Sequence, residues 1–129
     1  MRVAIIGGTK FIGPLVVRQF VDQGHAVTVY HRGQTEAALP DAVRHIRSPL
    51  AAMPVLAFPD ELLDAAPDVV VHMIPMGEAD ARAAVQAFRG RAQRIVALSS
   101  GDVYRAYGRL TGIEPHGVCA EASFPVAAA

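Results

Sequence analysis

Apolar residues along the chain alternate between two periods, short continuous runs and helix-spaced stripes, and these alternate regularly with each other. Residues 2–6 (RVAII) are apolar and rich in β-branched side chains, the pattern of a strand buried on both faces. From 13 to 23, Val16, Val17, Phe20 and Val21 recur at helical spacing, with Pro14 suited to a first turn and Gly24 to a C-terminal cap. A second strand is predicted at 25–30 (HAVTVY), followed by a polar turn at HRGQT, and a weaker third at 42–47 (AVRHIR). The stretch 59–67 (PDELLDAAP) has proline and acids at its front and a proline behind, which predicts a short helix. Residues 68–74 (DVVVHMI) are the strongest strand in the chain. Ala81, Ala84, Val85 and Phe88 then mark one face of a helix over 78–89, stopped by Gly90, and 94–100 (RIVALSS) predicts a fifth strand.

Strands alternating with helices imply crossover connections and a parallel sheet. A glycine-rich turn directly after the first strand makes the doubly wound α/β (Rossmann) fold the expected class, about five strands in the order 3-2-1-4-5. Residues 1–110 are expected to form this domain and 111–129 an irregular tail, since the latter has no periodicity.

Composition removes several classes of function. The formal net charge is zero, which leaves no electrostatic case for nucleic acid or an anionic membrane. Apolar runs are only strand-length, so no membrane span is predicted, and the opening MRVAIIGG turns to glycine too early for a signal peptide. Cys119 is the single cysteine, which excludes an internal disulfide and points to the cytoplasm. The five histidines, His25, His31, His45, His72 and His116, lie at no metal-ligand spacing, so no metal site is predicted. His31 reads as a turn residue, with a place near the adenine of a bound dinucleotide as the other account. Arg82, Arg89, Arg91 and Arg94 lie along a helix that opens with Glu78 and Asp80 and along its exit, and read as a solvated face rather than an RNA patch.

The candidate chemistry lies between the first strand and the first helix. Gly7-Gly8-x-x-x-x-Gly13 combines a tight turn with a helix N-terminus, the arrangement that holds a pyrophosphate on backbone N–H groups. The plain alternative is an ordinary glycine-rich turn. An acid ending the second strand would bind the adenosine ribose of NAD, but the segment reads Tyr30-His31-Arg32-Gly33. Arg32 offers instead a planar guanidinium suited to a 2′-phosphate, and Lys10 in the glycine loop is a second cation flanking the same ribose. NADP is therefore the expected cofactor, with NAD the alternative. Two solvated surface cations would be the blander account.

These residues resemble the extended short-chain dehydrogenases/reductases, the NAD(P)-dependent epimerases and dehydratases. IIGGTKFIG is similar to that family's Thr-Gly-Gly-x-Gly-Phe-Ile-Gly loop, and LSSGDVYRAYG (98–108) to its Ser-Ser-x-x-Val-Tyr-Gly segment. An atypical branch with Gly-Gly-Thr-Arg/Lys-Phe-Ile-Gly, which includes nucleoside-diphosphate-sugar epimerase-like proteins and RNA-binding relatives, is more similar still. The resemblance assigns Gly7, Gly8, Thr9, Lys10, Phe11, Ile12 and Gly13 to the cofactor loop, and Arg32 to the ribose substituent. It assigns Met73, Ile74 and Pro75 to the stretch along the cofactor, Ser99 to the double serine, and Ser100 to the catalytic serine. Simple capping of a strand end is the other account of the two serines.

The family's chemistry also uses a Tyr-x-x-x-Lys pair, in which the ammonium lowers the tyrosine pKa. Lys10 is the only lysine and precedes Tyr30, Tyr104 and Tyr107, so the pair is absent from these 129 residues. The resemblance thus implies the dinucleotide-binding, N-terminal part of a nucleotide-sugar epimerase, dehydratase or reductase, in truncated form. The competing expectation is a non-catalytic dinucleotide-sensing or RNA-associated module of the same fold. A chain ending here would leave 95–98 as an apolar sheet edge, through which aggregation, a homodimer or binding of a partner is expected.

Overall fold

In the computed structural model, which describes residues 1–35 and 37–99, β1 (Arg2–Ile6) is the central strand of a five-stranded sheet. The order is β3 (Arg44–Arg47), β2 (Ala26–His31), β1, β4 (Val69–His72) and β5 (Arg94–Ala97), all neighbours parallel. This is the doubly wound Rossmann-like order. Alternation along the strands divides the core in two. Ala4, Ile6, Tyr30, Ile46 and Val70 face α2 (Asp60–Asp64) and α3 (Glu78–Phe88), packing with Leu62 and Phe88. Val3, Ile5, Val27, Val29 and Val71 face α1 (Gly13–Asp22) and meet Val17. Because both faces of β1 are covered, residues 3–6 are at most 1% exposed, and the run has no polar position.

The helices end where local chemistry requires. Past α1, the Gly24 N–H donates to the Val21 carbonyl (2.8 Å) and the His25 N–H to the Phe20 carbonyl (3.0 Å), a Schellman motif. The Phe20 and His25 rings close it with centroids 5.8 Å apart. The helix predicted at 59–67 is shorter than its pattern. It stops at Asp64 because Ala66 takes a left-handed φ of 45° ahead of Pro67, whose ring disfavours helical backbone before it. Residues 49–51 form a 3-10 turn that no periodicity announced, capped by the Ser48 hydroxyl accepting from the Leu50 N–H at 3.2 Å. The fifth strand ends at Ala97, three residues before the predicted end at Ser100, which lies outside the described residues. At this edge Val96 is 40% exposed, whereas Ile95 and Leu98 pack partly against the two cores. Among the described residues no helix is long and apolar enough to cross a membrane.

Candidate functional site

Register brings three strand ends level. Ile6 lies opposite Tyr30 on one side and His72 on the other, so the 7–12 loop leaves the sheet between the ends of β2 and β4. The Gly7 N–H donates to the Tyr30 carbonyl and the Met73 N–H to the Ile6 carbonyl, both at 2.9 Å. The loop then turns through backbone that favours glycine, with φ of 90° at Gly7 and 95° at Gly8. Gly13 is required for a different reason. A Cβ there would lie 2.5 Å from the Gly8 Cα and carbonyl carbon, which are backbone atoms and cannot swing aside. The Gly13 N–H closes the turn on the Lys10 carbonyl at 2.9 Å.

This turn delivers an unfilled helix end. The α1 N-cap is Ile12, which makes no side-chain cap, and the first turn carries no acid. Pro14 has no N–H and the Gly13 and Leu15 N–H groups bond the Lys10 and Ile12 carbonyls, so what this end presents is the positive end of the helix dipole with no cap or first-turn acid to offset it. Backbone crossing at Gly8–Gly13 so closely that no Cβ fits is the cradle a pyrophosphate needs, and the loop fits such a group.

Beside it, the segment after β4 is fixed from two sides. The Ile74 side chain packs onto Gly7, its carbons 3.3 to 3.6 Å from where a Gly7 Cβ would stand. The Ile74 N–H donates to His72 Nδ1 at 3.4 Å, while His72 Nε2 is buried without a partner. Burial holds the His72 imidazole below its ordinary pKa, with Asp80 opposing. Asp80 is wholly buried and accepts from the N–H groups of Met76 (2.6 Å), Gly77 (2.9 Å) and Ala81 (2.9 Å). Burial pushes this carboxyl up, but the three donors, with His72, outweigh burial and leave it below the usual carboxylate range. It forms half of a capping box for α3, since Gly77 has no side chain to supply the other half.

The third wall is the end of β2. His31, expected in a turn, is the last residue of the strand and 4% exposed, because the ladder to Arg47 extends β2 one residue beyond the apolar run. Its Nε2 lies 3.0 Å from His45 Nδ1, and its Nδ1 accepts from the Gly33 N–H at 3.2 Å. Arg32 follows and is exposed, as is Lys10. The Arg47 side chain runs beside Gly33, its Cδ 3.5 Å from where a Gly33 Cβ would stand.

The structure thus brings Gly7, Gly8, Gly13, Met73 and Ile74 together, with Arg32 on the adjoining strand end. Thr9 and Pro75 are half-buried, Ile12 is exposed, and Phe11 is 94% exposed at a φ of 53°. Ser99 is exposed and lies beyond the compact unit Met1–Leu98, while Ser100, Tyr104 and Tyr107 lie outside the described residues. Sequence reading missed Asp80, although an acid three residues after Gly77 at a helix start is a recognisable signal. It also missed Arg47 and the His31–His45 contact, which only strand pairing creates. No group of three or more His, Cys, Asp or Glu side chains able to hold a metal occurs among the described residues.

No protein-family model matches the chain, and no curated protein matches it in sequence. Solved structures share its fold. The Bordetella bronchiseptica enzyme WbmG, solved in complex with NAD, is 18% identical over 81% of this chain and 39% of its own, with a TM-score of 0.64. Vestitone reductase from alfalfa (Medicago sativa) is 20% identical over 83% of this chain and 38% of its own, TM-score 0.63. A UDP-galactose 4-epimerase is 19% identical over 81% and 40%, TM-score 0.58. The chain therefore spans about two fifths of the length of these structures.

Proposed function

We propose that this chain is a dinucleotide-binding domain of the kind found in NAD(P)-dependent epimerases, dehydratases and reductases, with NADP favoured over NAD. The observation that carries the proposal is the glycine loop. It leaves the central strand at the carboxyl end of the sheet, packs Gly13 against the Gly8 backbone, and opens an uncapped helix N-terminus. Support comes from WbmG, which shares the fold and was solved with NAD.

Gly7, Gly8 and Gly13 would admit the pyrophosphate to the backbone, with Thr9, Lys10, Phe11 and Ile12 completing the loop. Ile74, packed on Gly7 between Met73 and Pro75, would form the apolar wall along the cofactor. Arg32 and Lys10 would supply positive charge for a 2′-phosphate, where β2 ends without an acid. When bound, a nicotinamide dinucleotide supplies reversible hydride acceptance. In the family resembled, Ser99 and Ser100 belong to the substrate-facing double serine, and a nucleotide sugar is the substrate class proposed. Lys10 being the only lysine, the family's Tyr-x-x-x-Lys pair is not within these residues, and chemistry by that mechanism needs groups from elsewhere.

Fluorescence titration of the wild type and Arg32→Ala with NADPH and NADH tests the proposal. NADPH should bind at least about tenfold more tightly than NADH, and Arg32→Ala should remove most of that ratio. Equal affinities in the wild type would sink the NADP preference, and no binding of either would sink the site.

A further inference from the structure

Outside the glycine loop, a histidine contact joins β2 to β3. The Gly33 N–H donates to His31 Nδ1 at 3.2 Å, so that nitrogen carries a lone pair and the neutral ring holds its proton on Nε2. Nε2 is 3.0 Å from His45 Nδ1, which must therefore accept, leaving the His45 proton on its own Nε2. One backbone N–H thus sets the tautomers of two rings on adjacent strands.

The pattern has no room for an added proton. A proton on His45 Nδ1 would set two N–H groups against each other across 3.0 Å. Moving the His31 proton to Nδ1 relieves that clash but sets two N–H groups against each other at Gly33, 3.2 Å apart. A proton added to His31 itself has the same effect at Gly33. Arg47 is paired in register with His31, Arg44 and Arg47 flank His45 within two residues on β3, and Arg32 follows His31. His31 is also 4% exposed, so water cannot take over its bonds while the strand end stays closed.

What the relay holds is the turn that begins with Arg32. We propose that His31 and His45 are positioning residues that fix the Arg32–Gly33 turn through this relay only while both imidazoles are neutral, so that recognition of a phosphate-bearing dinucleotide is proton-linked. This deepens the dinucleotide reading above and rests on it. Protonation of either ring releases Gly33 and lets Arg32 swing from its phosphate.

The test uses the full chain with His45→Asn and His45→Leu. Asn Oδ1 accepts where Nδ1 did but does not titrate; Leu neither accepts nor titrates. At pH 7.5, His45→Asn should bind NADPH within about twofold of wild type, and His45→Leu about fivefold more weakly, the size expected for one neutral hydrogen bond. Between pH 7.5 and 5.5 the wild type should lose affinity more steeply than His45→Asn. The 2′-phosphate itself gains a proton near pH 6 in every variant, so the difference between the two slopes isolates the relay. In the ligand-free protein, the Gly33 amide resonance should titrate together with the His31 and His45 ring nitrogens in wild type, and lose the His45-linked step in His45→Asn.

Equal pH slopes for wild type and His45→Asn, full affinity in His45→Leu, or a Gly33 amide indifferent to pH would each overturn the relay. A wild type that binds neither dinucleotide while its Gly33 amide titrates with both rings would overturn the cofactor reading instead.

Discussion

Two βα turns leave the carboxyl end of the same sheet side by side, and they treat their helix N-termini in opposite ways. After β1, residues 7–12 lead into α1 with Ile12 as a cap that makes no side-chain bond and with no acid in the first turn. After β4, residues 73–77 lead into α3, where buried Asp80 takes three backbone N–H groups and Glu78 adds a second acid. The same dipole is left open in one case and satisfied internally in the other. Position on a sheet edge therefore does not make an anion site. What distinguishes the turn after β1 is the lack of a side-chain cap or first-turn acid, together with a Gly8–Gly13 approach too close for any Cβ.

The turn after β1 is most sensitive at Gly13. Gly13→Ala forces a methyl to within 2.5 Å of the Gly8 backbone. It should abolish measurable dinucleotide binding and lower stability by about 1–3 kcal/mol, read by titration and by chemical denaturation.

Removing the internal anion from the other turn comes next. Asp80→Ala strips three N–H groups of their acceptor and should cost about 1–3 kcal/mol, while dinucleotide affinity falls less than in Gly13→Ala. The Asp80 carboxyl is held below its ordinary value in the folded state. The stability it contributes is thus present above the unfolded value, near 3.9, and lost as pH falls through the lower folded value. Denaturation midpoints across pH 6 to 3 should fall for wild type and flatten in Asp80→Ala.

His72 sharpens the contrast more gently. Burial lowers its folded pKa, so the folded protein resists protonation and loses stability as pH drops below the unfolded value, near 6.5. His72→Asn keeps an acceptor beside Ile74 but does not titrate, so its melting temperature should change less between pH 7.5 and 5.5 than that of wild type. Smallest of all is the exposed Arg82–Glu78 pair on α3. Glu78→Gln should move the melting temperature by no more than about 2 °C, because such surface pairs are screened and entropically costly.

The legible parts of the fold share one property: their residues face a single environment. β1 and β4 are buried on both sides and show as unbroken apolar runs, and α1 and α3 show as stripes with glycine stops. Where environment changes within an element, the pattern misleads. The 59–67 stretch has helical composition, yet the backbone before Pro67 ends the helix at Asp64. His31 looks like the start of a turn because it is polar, and becomes a buried strand residue through its pairing with Arg47. The glycine loop was readable as a candidate site because glycine spacing reflects backbone geometry within one short segment.

By itself, then, the sequence determined what is local: the order of strands and helices, the loop of Gly7, Gly8 and Gly13, the lack of an acid where β2 ends, and the solitude of Lys10. Each follows from backbone preferences or from counting side chains over a few neighbouring positions. Tertiary structure alone decided that Ile74 lies on Gly7, that Asp80 closes the second helix end, and that His31 meets His45. Those contacts join residues from different turns or strands, and their distances are set by the register of a sheet rather than by any spacing along the chain.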